Sequence, residues 1–376
     1  KSSGGRATLK CVALNLTSLF YCWSAANSIT FQGLVFDGNN QQQRQAIGLQ
    51  GGENIKFIDC VFSKVARIDP SGTTCISLSN INNSVIDGCT FIDSDGGVSY
   101  NGRNKNIRIK NNTFQDLTKH GIQIQGGDPI EANPVLNLIR FSDDVWITDN
   151  EIIIKPQLLG NRVHGIYFTC GDIEFKGNSP HHENVVVSGN FINGSGNLST
   201  ANGGSADLFS LKDIVRLKCY GNTARNSGDL GYAIERCHGG LVSNNTADQN
   251  NSCGISIFGS SNMSVTGNVC GNNEQDHDSS LNHPYGGIRV EFDSTHILVS
   301  GNHFYGEALP NDPNQQQYGI VVRSATIDEI TDPNLQTRSP YNIKIGVNHY
   351  TDHSEGDIYN EITSTIIQDA SASIAP

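Results

Sequence analysis

Basic charge is scarce in this chain. It holds 25 Lys and Arg against 37 Asp and Glu, a net charge of −12. An acidic surplus opposes nucleic-acid phosphates and anionic membrane surfaces, so neither is expected as the main partner. Acidic sugars stay open, because a few local Arg and Lys suffice to hold them. No window reaches the roughly 18 apolar residues of a membrane span, so no membrane insertion is expected. A signal-peptide pattern is absent too, and Lys1-Ser-Ser-Gly-Gly reads as the interior of a longer gene product. None of the ten cysteines forms a CxxC pair, which removes the simplest zinc spacing. They read as small buried residues of an intracellularly made protein.

Forty glycines and many asparagines remain, with Val, Ile, Thr and Ser between them. Gly and Asn supply turns, and the β-branched residues favour strands. One phrase recurs. GYAIE from Gly231 leads to Asn244-Asn245, GISIF from Gly254 to Gly267-Asn268, and GIRVE from Gly287 to Gly301-Asn302. The spacing from Gly to the final Asn is 14, 14 and 15 residues, and Gly231 to Gly254 is 23. The frame extends backwards through His164 to Asn190, His120 to Asn150 and Val98 to Asn112. It weakens at Cys75 to Cys89 and Ala46 to Cys60, and extends forwards from Gly319 to Asn348.

Such a period, with alternating apolar residues, makes each rung two or three short strands joined by turns. No rung buries its apolar face alone, so stacking supplies the core. Leucine-rich repeats demand a Leu consensus that is missing, and propeller blades need about 40–45 residues. The expected fold is therefore all-β: a single-stranded right-handed parallel β-helix, a solenoid of about ten rungs. It should span 1–348, with the first ~20 residues capping and 349–376 forming a C-terminal cap or oligomer contact. The Asn column (Asn112, Asn150, Asn190, Asn222, Asn245, Asn268, Asn302) falls at one place in each rung. It suits either a hydrogen-bonded stack or simple left-handed turn formers. The spacing and this column resemble the pectate-lyase-like superfamily of right-handed β-helices over nearly the whole chain, which implies fold rather than activity.

Period two separates inside from outside. Ile255 and Ile257, Ile288 and Val290, Ile320 and Val322 should point inwards. One outward column then runs Gln123, Tyr167, Ser210, Ala233, Ser256, Arg289, Val321. The next runs Gln125, Thr169, Lys212, Glu235, Phe258, Glu291, Arg323. The early rungs offer only Ser77, Ser79, Ser99 and Asn101.

Adjacent strands lie about 4.7–4.9 Å apart, so Glu235 and Glu291, two rungs apart, suit the wide carboxylate spacing of inverting glycosidases. One carboxyl protonates the leaving oxygen and the other activates water. Asp293 and Asp207 are further catalytic candidates. Phe258 offers a ring for sugar stacking, and Lys212, Arg289, Arg323, Tyr167 and His238 are candidate substrate contacts. The same charges equally suit a paired, solvated sheet face.

Long segments beside these strands, including EQDHDSSLNHPY and GEALPNDPNQQQY, are expected to wall a groove. Asp276-His277-Asp278 and His181-His182-Glu183 lack a matched second ligand set, and no metal or other cofactor is expected.

Motifs of pectate lyases, polygalacturonases and alginate epimerases are not found. What remains resembles the β-helical tailspikes and capsule depolymerases of bacteriophages. That resemblance implies a homotrimer on the virion tail, outside the cell, with a polysaccharide substrate; a secreted bacterial enzyme is the alternative place. Three functions follow: an endo-glycosidase, a lyase on an acidic glycan, or a non-catalytic glycan-binding adhesin.

Overall fold

The computed structural model describes residues 6–12, 18–23, 26–40, 42–43, 45–67, 74–126, 141–154, 163–170, 181–194, 207–273, 286–306, 316–324, 338–353, 355–370 and 372–375. Among them there is no helix; all regular structure is strand. The strands pair in parallel from one rung to the next, the arrangement of a β-helix. The chain divides into two units, residues 1–192 and 193–376.

In the first unit, one face stacks Leu34–Asp37, Val61–Ser63, Thr90–Ile92, Thr113–Leu117 and Glu151–Ile154. Its inward side chains form a column of rings. Phe36, Phe62, Phe91 and Phe114 stack at centroid spacings of 4.7, 5.1 and 4.6 Å. These follow the strand spacing, so each ring sits on the one below.

In the second unit, the candidate columns lie on Phe209–Lys212, Tyr232–Glu235, Ile255–Phe258, Gly286–Glu291 and Tyr318–Arg323. The register is as the repeat predicts: Lys212 beside Glu235, Glu235 beside Phe258, Phe258 beside Glu291, and Glu291 beside Arg323. Inward-facing Leu211, Ile234, Ile257, Val290 and Val322 are fully buried. The recurrent Gly has a steric cause. A Cβ on Gly231 would meet the Gly254 carbonyl oxygen at 2.7 Å, and one on Gly254 would meet that of Gly287 at 2.7 Å. Only a residue without a side chain lets the rungs approach there.

The Asn column is a hydrogen-bonded ladder. Asn222 Nδ2 donates to Asn245 Oδ1 at 3.0 Å, Asn245 to Asn268 at 3.0 Å, and Asn268 to Asn302 at 2.9 Å. Asn302 passes the bond to Asn348 at 3.0 Å. Positive φ falls one position earlier, at Gly221, Asn244, Gly267 and Gly301, so the ladder Asn are not themselves the left-handed residues. In the first unit Asn112, Asn150 and Asn190 form the same ladder at 2.9 Å per step.

The pairing does not stop at 348. His349–Thr351 pairs with His303–Tyr305, and Gly356–Asn360 pairs with Tyr318–Arg323. Strands of the same stack therefore continue into 349–376. At the other end Ala7–Lys10 pairs in parallel with Leu34–Asp37, inside the stretch expected to cap.

Candidate active site on the outer column

Glu235 and Glu291 share a column but not an environment. Lys212 Nζ lies 2.8 Å from Glu235 Oε2, and Arg236 Nη1 lies 3.9 Å from the same oxygen. About a fifth of each side chain of the Lys212–Glu235 pair meets solvent, 22% and 20%. Arg236 itself is fixed by two bonds to Asp213, at 2.6 and 2.9 Å. Glu235 thus combines a fixed cationic neighbour with a partly exposed side chain.

Glu291 is only 3% exposed. Its Oε1 lies 2.8 Å from Arg289 Nε, and its Oε2 lies 2.8 Å from Arg323 Nη2 and accepts from Arg323 Nε at 3.0 Å. Arg289 and Arg323 are each buried as well. Two guanidinium groups therefore claim both oxygens. Arg323 holds the carboxylate by a charge-assisted hydrogen bond and Arg289 by a close ion pair; removing the carboxylate leaves two buried cations uncompensated.

The other column, expected to point outwards, is closed in the second unit. Ser210, Ala233, Ser256 and Val321 are covered almost completely. Ala233 packs with Leu230 and Cys253 in a small apolar cluster. Burial pushes the Cys253 thiol pKa up, while Arg289 pulls it the other way. Alternation tells which way a side chain points. It does not tell what lies over it.

The remaining candidates separate. Asp293 follows the strand in a turn, half-exposed, and pairs with Arg338. Phe258 stacks on Phe292 at 4.7 Å and 1°, so one of its faces is already used. Asp207 is buried just ahead of Phe209–Lys212. His238 begins the next strand round the corner, beside Val215 and Ser261, and its Nδ1 is 2.6 Å from Ser261 Oγ. It is not on the Glu235 column.

Tyr167 and Thr169 belong to the first unit, beside Gln123 and Gln125. Tyr167 stacks on His164 at 4.7 Å and on His120 at 5.8 Å. His120 Nδ1 is buried with no hydrogen-bond partner. Burial, then the neighbouring His164 and Lys119, lowers its pKa to about 3. The repeat frame places His120 and His164 at equivalent positions. Their link to Tyr167 needs the fold.

His182 is a structural residue: it accepts from Ser142 N at 3.1 Å, and its Nε2 faces the Thr169 carbonyl at 3.1 Å. No group of His, Cys, Asp and Glu suited to a metal ion occurs among the described residues. Asp276, His277 and Asp278, and most of the long segments expected to wall a groove, lie outside the described residues. Among the described residues no helix is long and apolar enough to cross a membrane.

No curated protein sequence matches the chain. Solved structures do match in fold. An alginate lyase aligns with a TM-score of 0.60 at 14% identity, over 97% of this chain and 77% of its own. Tailspike protein 3 of bacteriophage CBA120 aligns at 0.57 and 10% identity, over 98% of this chain. The chain spans about half of that tailspike, 52%. The A-module of a mannuronan C-5 epimerase from Azotobacter vinelandii aligns at 0.54 and 13%, over 92% of this chain and 87% of its own. At these identities the likeness is one of fold. The family profile described as "Right handed beta helix region" matches residues 18–178 and 202–332. Stacked parallel rungs, the Asn ladder and that match over most of the chain agree: this protein belongs to the right-handed β-helix family.

Proposed function

We propose that the protein is a polysaccharide depolymerase, an endo-glycosidase acting on a bacterial surface polysaccharide. The observation that carries this reading is Glu235, a partly exposed glutamate braced by Lys212 on one side and followed by Phe258 on the other. Glu235 is assigned the proton transfer to the glycosidic oxygen. Glu291, two strands away, is the second carboxylate, at a spacing of about 9.5 Å between backbones that suits inversion. Asp293, more exposed, is the alternative water-activating group, and Asp207 a further acid. Lys212, Arg289 and Arg323 would hold anionic or hydroxyl groups of the glycan, with Phe258 stacking its free face on a sugar ring. The fold-level likeness to a tailspike supports a place on a phage tail, outside the cell; a homotrimer is the proposed assembly.

The test is product analysis with capsular polysaccharides of several bacteria. Glu235→Gln should lower cleavage about 10²–10⁴-fold, the usual contribution of a positioned acid, with the melting temperature little changed. Undiminished cleavage would remove Glu235 from the mechanism.

The ring group favours a second reading, a lyase on an acidic glycan. Tyr167, packed on two imidazoles, would then take the proton from the carbon beside the uronate carboxyl as the adjacent C–O glycosidic bond breaks, a double bond forms between the two carbons and the leaving oxygen is protonated. An unsaturated product absorbing in the ultraviolet, lost in Tyr167→Phe and kept in Glu235→Gln, would decide for it. Binding without any product from either route would leave the adhesin.

A further inference from the structure

The first unit carries a pocket far in sequence from the Glu235 column, formed by Ser18–Cys22, Gln45–Ile58 and Thr74–Asp87. Its volume is 340 Å³, within the range of small-ligand sites. Two aromatic side chains form one wall. Tyr21 and Trp23 lie 5.5 Å apart at 50°, and they are 45% and 70% exposed. Other exposed rings occur on this chain, Tyr341 at 49% among them, but Tyr21 and Trp23 are adjacent and line a pocket, the arrangement of a recognition surface. The Tyr21 ring is seated: a Cβ on Gly48 would meet its Cδ2 at 2.5 Å, so the glycine makes room for the ring against the strand.

The other walls are uncharged and polar, with Gln50, Ser77 and Ser79 reaching the pocket. The Ser18 hydroxyl, also on the lining, is buried and has no hydrogen-bond partner. A buried polar atom without a partner costs free energy unless a ligand or water completes it. The same polar character continues along the face. Ser77 pairs with Ser99, Ser99 with Gln123, Ser79 with Asn101, and Asn101 with Gln125. Between Ser77 and Gln123 and between Ser79 and Gln125 neither column carries a charged side chain.

From this geometry we infer that the first unit holds a separate binding site for a neutral pyranose oligosaccharide. Tyr21 and Trp23 stack on the apolar faces of sugar rings, while Ser18, Gln50, Ser77 and Ser79 exchange hydrogen bonds with hydroxyl groups. Among the described residues no cation lines the pocket to compensate a uronate carboxylate, which favours neutral sugars there. The site requires no cleavage and stands independently of the role given to Glu235.

The experiment uses the sequence's two tryptophans. In a Trp146→Phe background the emission comes from Trp23 alone. The protein is titrated with hexasaccharides of glucose, mannose and N-acetylglucosamine, and with hexagalacturonate. A saturable shift of Trp23 emission with at least one neutral hexasaccharide is expected, at least tenfold tighter than with hexagalacturonate. Tyr21→Ala should weaken it tenfold or more. Trp23→Ala, in the otherwise native chain, should lose binding by calorimetry with its circular dichroism and any polysaccharide cleavage unchanged. No saturable shift with any neutral hexasaccharide, equal affinity for hexagalacturonate, or unchanged binding in both ring variants would overturn the inference.

Discussion

Glu235 and Glu291 occupy equivalent positions on the repeat, yet their substitution should fail in different ways. Glu235 pairs with Lys212 and more distantly with Arg236, both partly exposed, and such pairs contribute about 1 kcal/mol or less. Glu291 neutralises two buried guanidiniums. Glu291→Gln should cost about 3–5 kcal/mol, because it strands both Arg289 and Arg323. Chemical unfolding compares the two: a Glu291→Gln protein as stable as Glu235→Gln would show that the Arg–Glu–Arg group is not a structural anchor. His120 gives a pH signature. Its pKa is lowered from 6.5 to about 3, so the unfolded chain takes up a proton that the native chain refuses across that interval. Its stabilisation is complete above pH 6.5 and is lost as pH falls towards about 3. The melting temperature should fall with pH over this window, and His120→Asn should flatten the slope. The outward columns were legible in the sequence because period two and a constant repeat fix register and direction. The burial of Ser210, Ala233 and Arg289 was not, because exposure depends on what packs over a strand.

The ladder decides most at the scale of the element. Asn268 donates to Asn302 Oδ1 and to the Val242 carbonyl, and accepts from both the backbone and side-chain nitrogens of Asn245. Asn268→Ala orphans groups on two neighbouring rungs, at about 1–3 kcal/mol for each buried one. The expected loss is about 3 kcal/mol or more, and the Asn245 amide should exchange its hydrogen faster. Normal exchange at Asn245 would mean that another group takes over the bond. A second ladder was missed altogether. Asn250 Nδ2 donates to Asn273 Oδ1 at 2.8 Å, and Asn273 to Gln316 Oε1 at 3.1 Å. Gln316 Nε2 then meets His353 Nε2 at 3.2 Å. Its members run Ser227, Asn250, Asn273, Gln316 and His353, so one letter repeats only once. The chemistry is constant where the spelling is not.

The repeat made the fold class of the whole molecule legible, but not its end. After Asn348 the phrase degenerates, while Gly356–Asn360 still pairs in parallel with its predecessor. Backbone hydrogen bonds need no particular side chain, so a stack outlasts its consensus. The proposed trimer has a direct measurement. Light scattering after size exclusion should give three times the chain mass of 40.6 kDa; a monomer would remove the assembly from the proposal.

The ladder also acts as an index. Each Asn resets the frame of its rung, whatever length of chain precedes the next strand. The stretch from the ladder Asn to the next repeat Gly is nine residues after Asn245, 19 after Asn268 and 17 after Asn302, while the strands keep their register. Residues added between one index mark and the next strand therefore leave the inner and outer faces unchanged. A single residue added within Tyr232–Glu235 would exchange the faces. The molecule can thus revise what it recognises in its variable stretches while its frame stays fixed.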